Sequence, residues 1–547
     1  MADDGKHDIT WDLPRHWVEQ SRGNASRTRL TDSTGSSVTG RDCLLRTLIL
    51  LRVLRRHLAA DEQNVGVLLP PSVPGALANF ALAVGGYTSV NLNYTASESI
   101  LNSCIATAEV QHVITSRRAM DRFSFKLNAE LIYLEDVRDQ VTAWDKAAAF
   151  LACSLKSTTA LANASSKKRS ADTPLTIIFT SGSTGEPKGV VLTYANIAAN
   201  IRGVAHALSL TSKDVVLGVL PFFHSFGYTV TLWAPSVLPL AAAYHFNPLD
   251  AKQIGKLAEA SGATILLATP TFLRSYLRRV EPSQFKKLEL VVVGAEKEPQ
   301  SLSDAFQERF GVRPIEGYGM TEMGPLVSVN IPPSRAQGAN RDSGLCEGSV
   351  GRPLPGVEAK VLTLDEGQPV PIGEEGMLYV RGPSLMSGYL KRPELTAKAM
   401  RDGWYESGDV ARIDDRGFIH LTGRQSRFSK IAGEMVPHIA VEEAIAAALG
   451  ASAEGDAMSA VVTAVPDEKR GERIVVLHKE LSKPAGEILR ILNEGTLPKL
   501  YLPAESDFYR VDDIPILGSG KLDLKAVREL AIAKAASKTS AESPQTS

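Results

Sequence analysis

The stretch IIFTSGSTGEPKGV at residues 177–190 is the most informative part of this sequence. Three apolar residues open it and predict a short strand, which a loop of small and hydroxylated residues and then Lys188 follow. A loop with so little side-chain bulk lets backbone N–H groups approach an anion closely, and its hydroxyls add donors. The lysine adds a point charge suited to a phosphate. The stretch therefore predicts a nucleotide triphosphate site.

This prediction has a simpler alternative, a flexible surface turn. The common phosphate-loop spacing Gly-x-x-x-x-Gly-Lys-Ser/Thr is absent from the stretch, and a Gly-rich loop alone is weak evidence for a site. We favour the phosphate site because an apolar strand precedes the loop and a lysine follows its proline at a fixed offset.

The composition is that of an ordinary globular protein and argues against several classes of function. The chain has 547 residues, of which 44% are hydrophobic, and a formal net charge of −1; this length allows about two to four domains. A charge so near zero argues against nucleic-acid binding as the main function. The four cysteines are scattered, with no CxxC pair and no metal-ligand spacing, so we expect a reduced, cytoplasmic protein.

An apolar stretch at residues 43–59, CLLRTLILLRVLRRHLA, allows two interpretations. Arg46 and Arg52 interrupt it, so it is too short and too charged to span a bilayer. Its leucines recur at helical spacing, which fits either a basic amphipathic helix in peripheral membrane contact or a buried helix. We favour the buried helix, because leucine stripes of this kind usually belong to a core.

Short β-branched runs alternate with helical patterns and predict an α/β fold. They suggest a large N-terminal domain of two βαβ-type, mostly parallel sheets, with a β-rich subdomain at about residues 348–422. A small α+β domain follows after Gly423. The predicted boundaries are 1–423 and 424–536, and we expect the polar tail 537–547 to be disordered. The runs that predict parallel strands lie at 65–70, 215–220, 264–269 and 290–295.

Further motifs follow the first stretch in a fixed order. They read PFFHSFG at 221–227, GAEKE at 294–298, EGYGMTEMGP at 316–325, WYESGDV at 404–410, GRQSRFSKIAGEMV at 423–436 and LGSGKLD at 517–523. In this order and spacing the motifs resemble the adenylate-forming superfamily of acyl-CoA synthetases, luciferases and peptide-synthetase adenylation domains. The resemblance covers roughly residues 40–535. Within the superfamily, the likeness is closest to the acyl-[acyl-carrier-protein] synthetase domain of bacterial 2-acylglycerophosphoethanolamine acyltransferase.

The resemblance implies a two-step ligase with a mobile C-terminal domain. Such an enzyme uses ATP and Mg²⁺ to convert a fatty acid to an acyl adenylate. It then transfers the acyl group to the phosphopantetheine thiol of acyl carrier protein, releasing AMP and pyrophosphate. Coenzyme A is the alternative acceptor. Residues 425–427 at the expected hinge read Gln-Ser-Arg, where many CoA ligases have an aspartate, and this departure hints at a different thiol.

The resemblance also implies catalytic roles for individual residues. Lys521 is expected to bridge the substrate carboxylate and the α-phosphate as charge develops. Glu322 and Thr184 are expected to hold Mg²⁺, which prefers oxygen ligands. Thr321 should donate to the α-phosphate, and His224 should gate the acyl pocket. The residues expected to bind the nucleotide are Thr180, Ser181, Gly182, Ser183, Thr184, Gly185, Lys188, Gly294, Ala295, Glu296, Glu316, Gly317, Tyr318, Gly319, Asp409 and Arg424.

Within that set, three side chains have distinct expected roles. Tyr318 should stack on adenine, while the backbone of residues 294–296 borders the other face of the ring. Asp409 should accept hydrogen bonds from the ribose hydroxyls, and Arg424 should reinforce that contact. A turn aspartate is the alternative interpretation of Asp409, but its place in WYESGD favours the ribose. A nucleotide sensor without catalysis is disfavoured because Lys521 is intact.

The resemblance places the pocket for the acyl substrate around His224. Peptide-synthetase domains usually place an aspartate near this point to hold an α-amino group. Here the next residues are Ser225, Phe226 and Gly227, without an acid, so an unaminated, apolar acid is expected. The candidate pocket residues are His224, Phe226, Gly227 and Tyr228.

Overall fold

The computed structural model describes most of the chain. The described residues are 9–164, 167–181, 187–294, 296, 298–336, 344–364, 367–424, 427–431, 434–450, 460–467, 470–495, 497–516 and 522–542. Several predicted site residues lie outside these ranges. They are Gly182, Ser183, Thr184, Gly185, Ala295 and Lys521.

The helices and strands alternate along the first part of the chain, as the sequence predicts. The helices are α1 Leu13–Gly23, α2 Gly40–Leu54, α3 Val73–Gly85, α4 Glu98–Thr107, α5 Arg117–Phe123, α6 Leu134–Asp139, α7 Ala143–Leu155, α8 Thr158–Ala162, α9 Tyr194–Ala207, α10 Ala234–Val237, α11 Ala251–Ser261, α12 Pro270–Arg279, α13 Gln300–Phe310, α14 Pro393–Ala399, α15 His438–Leu449, α16 Ala485–Glu494 and α17 Leu524–Glu542. The strands are β1 Thr28–Asp32, β2 Ser37–Thr39, β3 Asn64–Val67, β4 Thr88–Asn91, β5 His112–Thr115, β6 Glu130–Tyr133, β7 Pro174–Ser181, β8 Pro187–Thr193, β9 Val215–Gly218, β10 Ala241–Tyr244, β11 Ile265–Ala268, β12 Leu290–Val293, β13 Ile315–Gly319, β14 Leu326–Val329, β15 Arg352–Pro353, β16 Glu358–Leu362, β17 Gly376–Arg381, β18 Gly388–Tyr389, β19 Met400–Arg401, β20 Trp404–Ile413, β21 Ile419–Arg424, β22 Phe428–Ile431, β23 Glu434–Pro437, β24 Ala460–Asp467, β25 Gly471–His478 and β26 Phe508–Arg510.

Two large sheets form the first part of the molecule and confirm the predicted α/β class. One has the strand order β18-β8-β7-β4-β3-β5-β6, and the other β15-β14-β13-β12-β11-β9-β10-β1-β2. The inner strands of both pair in parallel, while antiparallel pairs occur at the edges. Inner strands such as β11 and β12 are buried along their whole length, which explains their continuous apolar sequences.

Apart from β18, the described chain from residue 358 onward forms smaller and mostly antiparallel sheets, with one parallel pair, β25-β26. A sheet of β16, β17, β20 and β19 carries β21 on β20. The remaining strands pair as β22-β23 and β24-β25-β26, and they pack with α15, α16 and α17 around apolar clusters of their own. The last helix runs to Glu542 and so extends into the segment for which the sequence predicts disorder, while the predicted domain boundaries stay predictions. Its alanine-rich sequence has a high helix propensity.

The leucine stripe of residues 43–59 lies in the core. Leu44, Leu48, Leu51 and Leu54 are each at most 6% exposed, and α2 packs against α1, α3 and α7. This packing confirms the buried-helix interpretation, because membrane contact through these leucines would require them to leave the core. Among the described helices, none combines the length and the apolarity needed to cross a bilayer.

A buried ion pair joins the segment after β14 to the start of β9. Arg335 Nη1 and Nη2 donate to the two carboxylate oxygens of Asp214 at 2.9 and 2.7 Å, and both side chains are buried. Burial alone would raise the pKa of Asp214, but Arg335 and donors from Thr211 and Thr264 outweigh it and lower the pKa. The ionised carboxylate is therefore the form that the fold stabilises.

We predict that Asp214→Asn lowers the free energy of unfolding by about 3 kcal/mol at neutral pH. The variant removes the bidentate charge partner of the buried Arg335 and leaves it only the exposed Glu289, to whose Oε2 its Nη2 donates at 3.1 Å. The contribution of Asp214 is present above the unfolded-state pKa of about 3.9 and disappears as pH falls through the lowered folded-state pKa. Urea unfolding at several pH values measures the difference between wild type and variant, which should shrink in acid. Glu358→Gln, in the exposed pair with Arg381, is the matched control and should change little. An equal effect of the two variants would contradict the prediction.

Candidate functional site

A single cleft of about 3370 Å³ brings together residues from distant parts of the chain. Its walls come from the β7–β8 hairpin, the segments after β12 and β13, the β20–β21 hairpin and α17. The predicted site residues that line it are Thr180, Lys188, His224, Phe226, Gly294, Glu296, Glu316, Gly317, Tyr318, Gly319, Thr321, Glu322, Asp409 and Arg424. Motifs spread from residue 180 to residue 424 therefore face one space.

The loop of the first stretch lies between two paired strands. β7 is longer than predicted and pairs with β8 as a hairpin, in which Thr180 stands opposite Lys188. Lys188 therefore belongs to a strand rather than to the end of the loop. This register places a hydroxyl and an ammonium at the base of the loop, on the wall of the cleft. Residues 182–186 lie outside the described residues.

Asp409 is held from two sides. Tyr318 Oη donates to Asp409 Oδ2 at 2.6 Å, and Arg424 Nε donates to Oδ1 at 2.6 Å. Asp409 and Arg424 stand opposite each other on β20 and β21. Gly408 has φ +72° just before the aspartate, a conformation that a residue with a Cβ rarely adopts. Local backbone geometry and two donors together orient this carboxylate.

The charge of Asp409 changes the pKa values of both its hydrogen-bond donors. The negative charge of Asp409 raises the pKa of Arg424 above its usual value. Burial, and then the same charge, raise the pKa of Tyr318 well above 10. Both neighbours therefore keep their protons at neutral pH, and both act only as donors to the carboxylate.

Glu322 has a partner that the sequence did not indicate. Tyr389 Oη donates to Glu322 Oε1 at 2.8 Å and lies 3.2 Å from Tyr405 Oη. Lys188 Nζ lies 5.5 Å from the centroid of the Tyr389 ring, within the range of a cation–π contact. Burial, and then the charge of Glu322, raise the pKa of Tyr389. The tyrosine thus connects the predicted phosphate lysine with the predicted metal ligand.

Tyr389 reaches this position through a two-residue strand. β18 pairs with β8 so that Tyr389 stands opposite Val190, which lies two residues beyond Lys188 in the sequence. A strand this short carries no periodic signal, so sequence patterning could not identify the tyrosine as a site residue.

The segment around His224 lies against the Thr321 loop. Ser225 Oγ donates to Thr321 Oγ1 at 3.3 Å. Beside it, a Cβ on Gly227 would lie 2.1 Å from the Pro221 carbonyl oxygen, so only glycine fits this close approach of two backbone segments. His224 and Phe226 line the cleft.

Two of the predicted pocket residues are not among the described residues that line the cleft. Tyr228 is fully buried, and its hydroxyl lies 2.9 Å from Ser89 Oγ inside the core. Gly227 is also buried, in the π-helical turn Gly227–Trp233. The direction of this turn, which the sequence does not encode in any periodic pattern, sends the side chain of Tyr228 away from the cleft.

Aromatic residues extend along the cleft from His224 instead. The ring centroids of His224 and Phe223 are 4.7 Å apart, those of Phe223 and Tyr94 are 4.8 Å apart, and those of Tyr94 and Phe123 are 5.0 Å apart. All four side chains line the cleft. We call this set the aromatic wall. Tyr94 and Phe123 come from another sheet layer, so no local motif around His224 could reveal them.

Comparisons with known sequences identify similar proteins. The model of the AMP-binding enzyme family matches residues 17–390. A long-chain-fatty-acid–CoA ligase from Bacillus subtilis is 26% identical over 555 residues, covering 94% of this chain and 95% of that protein. A feruloyl-CoA synthase from an Amycolatopsis species is 31% identical over 350 residues, covering 63% of this chain and 67% of that protein.

Solved structures share the fold. ATP-bound MatB from Rhodopseudomonas palustris superposes with a TM-score of 0.77 at 23% identity, covering 94% of this chain and 98% of that one. The o-succinylbenzoate coenzyme A synthetase of Bacillus subtilis, in complex with ATP and magnesium, superposes with a TM-score of 0.76 at 22% identity over the same shares. At this identity the likeness establishes the architecture alone.

We predict that Tyr318→Phe weakens the binding of adenine nucleotides about tenfold, because it keeps the ring but removes one of the two donors that orient the Asp409 carboxylate. Isothermal titration calorimetry with a non-hydrolysable ATP analogue measures the change. Tyr379→Phe is the matched control. Tyr379 Oη donates to Glu406 Oε2 at 2.6 Å in the sheet that carries Asp409, but Tyr379 is not among the described residues lining the cleft. Equal losses of affinity in both variants would rule out a specific role for the Tyr318 hydroxyl.

Proposed function

The chain belongs to the family of AMP-binding enzymes, and on this premise we propose that it is an AMP-forming ligase that joins a fatty acid to a thiol. The observation that carries the proposal is the cleft in which Lys188, Glu322 and Asp409 face the same space as the aromatic wall. The first three side chains suit a nucleotide and its cation, while the wall suits an apolar acid. The long-chain-fatty-acid–CoA ligase among the similar proteins supports the same reading.

The proposed reaction has two steps. A carboxylate oxygen of the acid attacks the α-phosphorus of ATP, the bond to the bridging oxygen breaks, and pyrophosphate leaves. A thiolate sulfur then attacks the carbonyl carbon of the acyl adenylate, and AMP leaves as the thioester forms. Two anions must meet in the first step, so cationic and donor groups have to be positioned in advance.

The phosphate end of the nucleotide is assigned to the β7–β8 hairpin. Lys188 and Thr180 would bind the β- and γ-phosphates together with the loop between them, and Thr321 would donate to the α-phosphate. Glu322, together with Thr184 outside the described residues, would offer oxygen atoms only, a donor set that fits Mg²⁺. When bound, Mg²⁺ would neutralise part of the phosphate charge. Tyr389 would orient Glu322 for this role through its hydrogen bond.

The nucleoside end is assigned to Asp409 and its neighbours. Asp409 would accept from the ribose hydroxyls, and Arg424 and Tyr318 would hold its carboxylate in place. Gly294 lies close to the Gly317 backbone, since a Cβ on Gly294 would lie 3.2 Å from the Gly317 carbonyl oxygen. The two glycines form a thin backbone wall that suits a flat base. Lys521, outside the described residues, is proposed as the cation between the acid and the α-phosphate.

The acceptor thiol has two candidates. The motif RFSKIAGEMV at residues 427–436 resembles acyl-[acyl-carrier-protein] synthetases and favours acyl carrier protein. Several of the similar proteins are named CoA ligases, which favours coenzyme A. The first step is the same with either thiol, so the proposal of a fatty acid ligase stands independently of the acceptor.

The function is tested by pyrophosphate release with a panel of fatty acids, followed by mass-shift assays on holo-acyl carrier protein and on coenzyme A. We predict ATP-dependent pyrophosphate release with fatty acids and a loss of about 10²–10³-fold in Lys521→Ala, which removes a charge aimed at the transition state. Lys499→Ala is the control, because Lys499 is an exposed lysine of the same predicted C-terminal domain as Lys521. No release with any fatty acid would refute the ligase. Rapid transfer of the acyl group to coenzyme A, without transfer to acyl carrier protein, would identify coenzyme A as the acceptor.

We predict that Phe123→Ala raises the KM for long-chain acids about tenfold and changes the KM for short acids much less, because burial of one aromatic side chain contributes about 1.5–3 kcal/mol. Phe125→Ala is the matched control, since Phe125 stacks on Phe123 at 5.8 Å but is not among the described residues that line the cleft. Steady-state kinetics over a chain-length series measures both. A loss that does not depend on chain length would show that the wall does not hold the acyl chain.

A further inference from the structure

Two segments beside the cleft bring together three chemically different metal ligands, which are not among the described residues that line it. The backbone around Gly351 pairs with Ile419, with Val350 N donating to Ile419 O at 2.9 Å and Ile419 N to Gly351 O at 3.0 Å. This pairing lays the loop of residues 344–350 against the turn between β20 and β21. Cys346 thereby meets Asp414 and His420, although the sequence separates the cysteine widely from the other two.

The three potential ligand atoms form a compact set. One atom from each of Cys346, Asp414 and His420 lies within 4.8 Å of the other two, and all three residues are half-buried. Asp414 Oδ2 lies 3.1 Å from His420 Nε2. In a tetrahedral zinc site, bond lengths of about 2.0–2.3 Å place neighbouring ligand atoms about 3.3–3.7 Å apart. The observed cluster needs only small side-chain adjustments to reach that geometry.

Hydrogen bonds already orient the carboxylate of Asp414 and anchor the backbone that carries the cysteine. Asp414 Oδ1 accepts from the backbone N–H groups of Arg416 and Phe418 at 3.0 and 2.8 Å, which leaves Oδ2 on the side of His420. The backbone N–H of Cys346 donates to Asn330 Oδ1 at 3.0 Å. Supporting contacts of this kind hold metal ligands in place and raise the affinity of a site.

We propose that Cys346, Asp414 and His420 bind one divalent transition-metal ion, with Zn²⁺ as the preferred ion and water in the fourth position. Thiolate, imidazole and carboxylate together suit Zn²⁺, whereas Mg²⁺ prefers oxygen ligands alone. This site is therefore distinct in chemistry from the oxygen site proposed at Glu322. The ion would tie the loop of residues 344–350 to the hairpin that carries Asp409 and Arg424.

The proposal is tested on the full-length protein, stripped with a chelator and titrated with Co²⁺. The wild type should bind one equivalent and show the near-ultraviolet thiolate-to-cobalt absorption, and Zn²⁺ should abolish that absorption by displacement. Cys346→Ser should remove the absorption. His420→Gln and Asp414→Asn should weaken metal binding by more than the about 10–100-fold that loss of an outer-sphere partner causes.

The controls separate this site from other metal contacts. Cys153→Ser changes another half-buried cysteine, and His206→Ala an exposed histidine; both should bind metal as the wild type does. Zn²⁺ should raise the melting temperature of the wild type but not that of Cys346→Ser. Asp414 also accepts hydrogen bonds within the turn between β20 and β21. If Asp414→Asn does not fold for that reason, Cys346→Ser and His420→Gln test the metal site. Absence of thiolate absorption in the wild type, or its persistence in Cys346→Ser, would overturn the proposal.

Discussion

The carboxylate of Asp409 is the point on which the arrangement of the cleft depends. It is 5% exposed, and a buried charge is strongly unfavourable unless donors surround it. One donor, Tyr318, lies on β13 in the nine-stranded sheet, and the other, Arg424, ends β21 in the β-rich subdomain. The need to satisfy one carboxylate therefore brings two sheets to a defined distance and shapes the nucleoside end of the cleft.

A second linkage joins the seven-stranded sheet to the same cleft. Tyr389 lies on the edge strand β18 of the seven-stranded sheet, yet its hydroxyl donates to Glu322 in the segment after β13. Its ring also lies beside Lys188. The three sheets thus meet through two tyrosine hydroxyls bonded to two carboxylates. At Glu322 the neutral donor positions the acid without cancelling its charge, which keeps that carboxylate available to a cation.

Local sequence explains the elements that surround the site. The runs at 215–220 and 290–295 became β9 and β12, since β-branched residues buried on both faces of a parallel sheet leave a continuous apolar signal. Predictions from order and spacing also brought fourteen candidate residues to one cleft. Predictions of individual pocket walls were weaker. Tyr228 points into the core and Phe123 lines the cleft, because side-chain direction depends on how distant elements pack.

The sequence by itself determined the fold class and the family, because these follow from local periodicity and from motifs whose residues are close in the chain. The roles of the charged residues in those motifs stay predictions. Only the tertiary structure decided which side chains complete the site. Tyr389 beside Glu322, the aromatic wall beyond His224, and Cys346 beside His420 each join segments far apart in sequence. Such contacts depend on the packing of whole sheets and loops, and no short-range pattern records them.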